Sequence, residues 1–373
     1  MKIGILTLPL HTNYGGILQA YALQTVLERM GHEVKVLNSP IVFKKNAYWK
    51  YPIRFIKKFF FHKPTIVRYE SILKESYPII AKNILLFREK KIKERVINSF
   101  DEIQEKDFDC IVVGSDQIWR PRYFREGWKS NVIDAFLAFS NGWKIKRVAY
   151  AASLGVDSCE FSESEIAKGK EFLLHFDAIS VREKSGIGLL KDCFGVDAIQ
   201  NLDPTFLLDR TYYEELAENA SQSQGDLFCY ILDKSTEKKN FVEFVAKERH
   251  FKPFTLTCSL DLSSEPIEKR ILPSVESWLR GFMDAKFVIT DSFHACVFSI
   301  IFRKPFVAIA NPERGESRFL SLLSALHLED NLIKSIDGYQ PKKKYEVSER
   351  SVQILNEQRN KSLMYLNKMG AIK

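Results

Sequence analysis

Residues 2–37 read KIGILTLPLHTNYGGILQAYALQTVLERMGHEVKVL, and the order of patterns inside this stretch decides the fold. Lys2-Ile3-Gly4-Ile5-Leu6-Thr7-Leu8 is a short apolar run with the character of a buried strand, and Glu33-Val34-Lys35-Val36-Leu37 is a second. Between them Ala20, Leu23, Leu27 and Met30 recur at helical spacing, and Gly31 stands where a helix C-cap needs left-handed backbone. Strand, glycine-containing turn, helix and strand make a βαβ unit. Its crossover helix implies that the two strands run parallel.

The same alternation continues along the chain. Cys110–Val113, Arg147–Tyr150, Asp177–Val181 and Ala198–Leu202 read as further strands, each running into a polar turn, with a helix over Glu183–Leu190. A second series starts near residue 209. Leu227–Leu232, Phe254–Thr257, Lys286–Thr290 and Phe306–Ile309 read as strands, and Val275–Met283 and Phe293–Phe302 as helices. A last helix over about 348–369 carries Val352, Leu355, Leu363 and Leu366 on one stripe. The expected fold is α/β, with two Rossmann-like domains of parallel sheet and a cleft between them. The N-terminal domain is expected over 1–208 and the C-terminal domain over 209–373. The last helix is expected to reach back toward the N-terminal domain.

The chain has 373 residues, of which 45% are hydrophobic and 27% charged, enough to build two cores and too apolar for a disordered chain. The longest apolar stretch, Phe287–Phe302, is broken by Asp291, Ser292 and His294, so a transmembrane helix is not expected. The start of the chain lacks a signal-peptide layout, and the six cysteines include no CxxC spacing, which together fit a cytoplasmic setting. Net charge is +8, yet residues 41–95 alone hold 15 Lys/Arg against four Glu. The basicity belongs to an insertion at about 41–100. Tyr48-Trp49-Lys50-Tyr51-Pro52-Ile53-Arg54-Phe55-Ile56-Lys57-Lys58-Phe59-Phe60-Phe61 mixes aromatic and basic residues there. Such a stretch suits an anionic membrane face, and equally suits a helix packing its aromatics on the domain. Nucleic acid is not expected, because no recognised binding motif accompanies the charge.

In an open parallel sheet, ligands bind beyond the carboxyl ends of the strands, and five polar sets stand there. Asn13-Tyr14-Gly15-Gly16 opens the first helix, with glycines that allow close approach and amides that favour an anion, or with no function beyond a tight turn. No acidic residue follows the second strand, where Asn38 and Ser39 sit, so a nicotinamide cofactor is disfavoured. Ser115-Asp116-Gln117 with Trp119 could accept from sugar hydroxyls and stack on a sugar face, or form a capped turn over a buried Trp. Arg182, at a strand end, pairs with a carboxylate such as Asp203 or clamps an anionic ligand. Thr290-Asp291-Ser292-Phe293-His294 turns from strand to helix, with Asp291 or Ser292 placed to cap and His294 in the first turn, where a general base could stand. Arg314 and Arg318 flank Gly315, as in a phosphate clamp or a solvated loop.

Taken in order, Asn13-Tyr14-Gly15-Gly16, Gly114 to Trp119, Ser180-Val181-Arg182-Glu183, Asp203-Pro204-Thr205, Thr290 to Ala295 and Lys304-Pro305-Phe306 resemble the polysaccharide pyruvyl transferase family over about residues 2–330. The resemblance implies a GT-B-like fold and phosphoenolpyruvate as co-substrate; no separate cofactor is expected, and no metal is needed if Arg and helix dipoles supply the positive charge. It also implies a sugar hydroxyl pair as acceptor, giving a pyruvate ketal on a surface polysaccharide; the basic segment separately suggests a lipid-linked oligosaccharide acceptor at the cytoplasmic membrane face. The family's catalytic His falls on His294 and its strand-end Arg on Arg182. Where many members carry Arg-Leu-His this chain has Ser292-Phe293-His294, so one Arg is missing, and Arg314 or Arg318 is the candidate replacement. A nucleotide-sugar glycosyltransferase on the same architecture and a non-catalytic adaptor in polysaccharide assembly are the rival readings.

Overall fold

The computed structural model describes residues 1–43, 48–60, 67–257, 266–310 and 315–371. Among them, twelve strands make two parallel sheets. The first holds β1 (Lys2–Leu6), β2 (Glu33–Asn38), β3 (Glu94–Val96), β4 (Cys110–Val113), β5 (Lys146–Ala152), β6 (Ala178–Val181) and β7 (Ile199–Gln200), in the order β3-β2-β1-β4-β5-β6-β7. The second holds β8 (Leu227–Tyr230), β9 (Pro253–Phe254), β10 (Phe287–Thr290), β11 (Phe306–Ile309) and β12 (Leu332–Ile333), in the order β12-β11-β10-β8-β9. Every pairing is parallel; β1, for example, sets Ile3 beside Val34 on one side and Cys110 on the other. Strands covered by helices on both faces carry continuous apolar runs, and β4, β8, β10 and β11 are buried at every residue.

The strand order reverses between β1 and β4 in the first sheet and between β8 and β10 in the second. At such a switch point the connections leave in opposite directions and open a crevice beyond the strand ends. The two crevices face each other, and the loops from all four strands share one cavity.

The basic insertion forms helices Tyr51–Phe59, Tyr69–Ile80 and Lys82–Lys91. Its expected end at 100 is corrected, since Glu94–Val96 pairs with β2 as an edge strand. The edge strands β3 and β12, of three and two residues, are too short to show a period in the sequence. The expected strand Phe254–Thr257 is corrected to Pro253–Phe254. The final helix, Glu349–Ala371, lies across both halves: Leu202 N donates to Ser362 Oγ (3.1 Å) and Tyr365 OH to Ala149 O (2.9 Å). One apolar core runs through the junction, from Tyr14 and Ile17 to Trp278 and Phe298. Among the described residues no helix is long and apolar enough to cross a membrane.

Candidate active site

The shared cavity encloses about 370 Å³. Leu8, Thr12, Asn13 and Gly15 reach it from the loop after β1, and Asp116, Gln117 and Tyr123 from the segment after β4. Tyr230 and Leu232 come from β8, Asp291 to His294 from β10, and Trp278 and Arg318 from two helices of the second half.

His294 enters on the first turn of helix Phe293–Ile301 and crosses to the opposite half. A Cβ on Gly15 would fall 2.1 Å from its Nδ1, so the imidazole occupies the space that the missing side chain leaves. Its Nε2 lies 3.6 Å from Asp203 Oδ2, too long for a hydrogen bond but within electrostatic contact. With a carboxylate behind Nε2, the nitrogen beside cavity-lining Gly15 is Nδ1. Asp203 is fully buried. Burial pushes its carboxyl up, but His294 and the Arg182 guanidinium outweigh that and hold it well below the usual range.

Arg182 does not line this cavity. Its Nη1 donates to Asp203 Oδ2 (2.8 Å), its Nε to Glu183 Oε1 (3.3 Å), and its Nη2 stands 4.0 Å from Asp116 Oδ1. Burial disfavours its charge, and the three carboxylates more than restore it. The expectation of an anion clamp at Arg182 is therefore corrected: three protein carboxylates already surround its charge. Its guanidinium carbon lies 4.4 Å from the Phe293 ring centre, and that of Arg318 lies 5.4 Å from the same ring. Arg318 does reach the cavity. Burial and the nearby Arg182 pull its pKa down to about 10, so its cation is electrostatically strained and an anion beside it would relieve that strain. Arg314 lies outside the described residues.

The two helix termini at the cavity differ. Asn13 Oδ1 accepts from Gly15 N (3.0 Å) and Gly16 N (3.3 Å), and the carboxylate of Asp116 stands near Gly16. Asn13 Oδ1 thus takes two amides of the first helix terminus, with a carboxylate beside them, which disfavours the anion expected there. At the second terminus, neither Ser292 nor Asp291 caps. Ser292 N donates to Thr290 Oγ1 (2.9 Å), while Asp291 accepts from Leu232 N (2.7 Å), Asp233 N (3.1 Å) and Lys238 Nζ (2.7 Å), tying the β8 and β10 loops together. That terminus keeps its positive end for the cavity.

Three further expectations are corrected. Trp119 is fully buried, donates Nε1 to Ala135 O (3.0 Å) and packs on Phe136 and Phe176, so it offers no face to a sugar. Ser115 is also sealed in, donating Oγ to Ala151 O and receiving Thr7 Oγ1 at its carbonyl. Tyr14 stacks on Trp278 (5.4 Å, 3° between planes) and donates to Pro273 O (2.7 Å), joining the halves instead of meeting a ligand. Gly16 stands clear, its nearest neighbour 3.5 Å from where a Cβ would be. Gln117 lines the cavity and accepts from Arg120 Nη1 (3.3 Å).

Sequence reasoning did not name Trp278 or Tyr123. Trp278 stands on the apolar stripe of helix Val275–Asp284 and reads as core. Its indole Nε1 nevertheless has no hydrogen-bond partner among the described residues, at the wall of the cavity. The sequence offers Asp203 as a partner for Arg182 and within the Asp203-Pro204-Thr205 motif, not as a neighbour of His294. Its nearness to His294 has no local signal, since 91 positions separate them.

No curated protein matches the chain. Among solved structures, one from Listeria monocytogenes, proposed to be a UDP-N-acetylglucosamine 2-epimerase, aligns over 97% of this chain and 90% of that chain at 10% identity (TM-score 0.51). A UDP-N-acetylglucosamine 2-epimerase from Rickettsia bellii aligns over 100% and 98% at 14% identity (TM-score 0.47). At these identities the likeness to the first concerns the fold alone, the two-domain GT-B architecture. The polysaccharide pyruvyl transferase profile matches residues 13–313, which span the walls of the cavity on both sides. With that match covering most of the sequence, the chain belongs to the polysaccharide pyruvyl transferase family and is a transferase.

Proposed function

We propose that the protein moves the enolpyruvyl group of phosphoenolpyruvate onto two hydroxyls of one sugar, in a cell-surface polysaccharide or its lipid-linked precursor. The observation that carries this reading is the polarity of the cavity. Its second-half wall offers the uncapped terminus of helix Phe293–Ile301 and the guanidinium of Arg318, both suited to an anion. Its first-half wall offers the carboxylate of Asp116 and the side-chain amide of Gln117, suited to sugar hydroxyls. Arg318 takes the place of the arginine that Ser292 replaces.

In this scheme His294 Nδ1 removes the proton of one sugar hydroxyl as that oxygen bonds to C2 of the enolpyruvate; C3 takes a proton from solvent, and His294 returns its proton to solvent. The C2–O bond to phosphate then breaks, and phosphate departs with its electron pair toward Arg318 and the helix terminus. The second hydroxyl adds to C2, and its proton leaves with phosphate. Asp203 holds the imidazole with Nε2 protonated, and Arg182 holds Asp203.

The test is phosphate release. Supplied with phosphoenolpyruvate and a panel of acceptor glycans, the protein should release phosphate only when an acceptor is present. His294→Ala should lower that rate by about 10²–10⁴-fold with its thermal midpoint unchanged. Release of nucleoside diphosphate from nucleotide sugars, with none of phosphate from phosphoenolpyruvate, would overturn the donor assignment.

A further inference from the structure

Helix Tyr51–Phe59 is built inside out. Ile53, Ile56 and Phe60 follow i, i+3, i+7 spacing and Phe55 and Phe59 follow i, i+4, so the apolar residues share one side. A surface helix normally turns such a side to the core. Here it is Arg54, on the other side, that faces the protein: it donates Nη1 and Nη2 to the two carboxylate oxygens of Glu70 (2.6 and 2.7 Å) and Nη1 to Val67 O (3.1 Å). The apolar side faces solvent. Ile53, Phe55 and Ile56 are about half exposed, and the neighbouring Trp49 and Phe60 are 70% and 73% exposed. Clustered exposed aromatics of this kind mark a surface that is covered in use.

Charge selects the cover. Lys50 and Lys57 are exposed within the same patch, and the segment 41–95 carries a surplus of eleven positive charges while the remainder of the chain sums to minus three. Lysines beside Trp, Tyr and Phe match the boundary of an anionic bilayer, where aromatic rings sit at headgroup depth and cations meet lipid phosphates. A purely apolar partner surface would leave those lysines uncompensated.

Position gives the patch a use. Glu70 opens helix Tyr69–Ile80, whose far end meets the second half of the protein: Leu272 N donates to Ile80 O (2.8 Å), and Asn83 Nδ2 donates to Leu272 O (2.8 Å). Leu272 directly precedes Pro273 and the helix carrying Trp278 at the cavity wall. A helix of twelve residues, about 18 Å long, therefore links the exposed patch to the rim of the site.

We propose that the exposed face of residues 48–60 docks the protein on anionic lipid bilayers. Lipid docking stands on its own observations; that it delivers a lipid-linked acceptor to the cavity rests on the reading under Proposed function. The full chain should sediment with vesicles of phosphatidylcholine mixed with phosphatidylglycerol and stay in solution with phosphatidylcholine alone, and added salt should weaken the binding. The double variant Phe55→Ser, Ile56→Ser and the single variant Lys57→Glu should each lose about tenfold or more in vesicle affinity. Both should keep the wild-type thermal midpoint and the wild-type phosphate release with a soluble acceptor. Equal binding to both vesicle types, or undiminished binding by the variants, would overturn the proposal. So would a wild-type dimer that the double variant dissolves without any vesicle binding, since a second copy would then be the cover. Loss of phosphate release in every form, with vesicle binding intact, would remove the donor assignment and leave the docking surface in place.

Discussion

Gly15 and Gly16 are adjacent and alike in sequence, but only one is sterically required. A methyl group on Gly15 would overlap the imidazole of His294, whereas one on Gly16 would make an ordinary contact with Asp116 at 3.5 Å. Gly15→Ala is expected to destabilise the fold by about 1–3 kcal/mol and to displace the base, lowering turnover far more than Gly16→Ala. Denaturant midpoints and initial rates of the two variants check this. Asp203 makes the second prediction at this scale. Asp203→Asn breaks a buried ion pair with Arg182 and should cost about 3–5 kcal/mol at neutral pH. Because the folded-state carboxyl is held below its ordinary value near 4, that stability is present above about pH 4 and is lost as pH falls below it. The gap between wild type and variant should therefore close in acid; a gap constant with pH would refute the charge interaction.

At the scale of elements, the helix with the uncapped terminus separates stability from binding. Ser292→Asp would place a carboxylate at the N-cap of helix Phe293–Ile301, where the Ser292 side chain bonds none of the free amides. It should raise stability by about 0.5–1 kcal/mol through capping and dipole interaction. The same charge would repel an anionic donor, so the apparent donor constant should rise about tenfold or more while the thermal midpoint holds or rises. Element types were largely readable from the sequence, because an apolar strand or an amphipathic stripe is a local pattern. Cys110–Val113 and Phe306–Ile309 read as strands with the bounds that the structure gives them. Glu94–Val96 and Leu332–Ile333 did not, because two or three residues cannot display a period and owe their extended backbone to the neighbouring strand.

The molecule as a whole depends on the joint between its halves. Tyr14 opens the first helix of one half and stacks on Trp278 of the other, inside a core that runs continuously through both. Trp278→Ala is expected to cost about 3–5 kcal/mol and to open the cavity wall, whereas Tyr14→Phe keeps the stack and should lose only about 1 kcal/mol with the hydrogen bond to Pro273. Chemical denaturation of the two variants distinguishes a packed joint from a loose hinge. The C-terminal helix adds a strap, since Arg359 Nη1 bonds Asp209 (2.9 Å) and Tyr365 reaches Ala149 in the first sheet.

By itself the sequence determined that two parallel sheets form, and that Asn13 to Gly16, Asp116 to Gln117 and Ser292 to His294 stand at strand ends, because periodicity and turn chemistry act between near neighbours in the chain. Only the tertiary structure decided which way each side chain faces. Trp119 and Tyr14, polar-tipped aromatics that suit either a ligand or a core, went to the core, and Trp278 came to the cavity wall. Arg182 was claimed by Asp203 and Glu183, and Arg318 lines the cavity. Those outcomes are set by contacts between residues far apart in the chain, where burial and charge pairing choose among partners that no local pattern names.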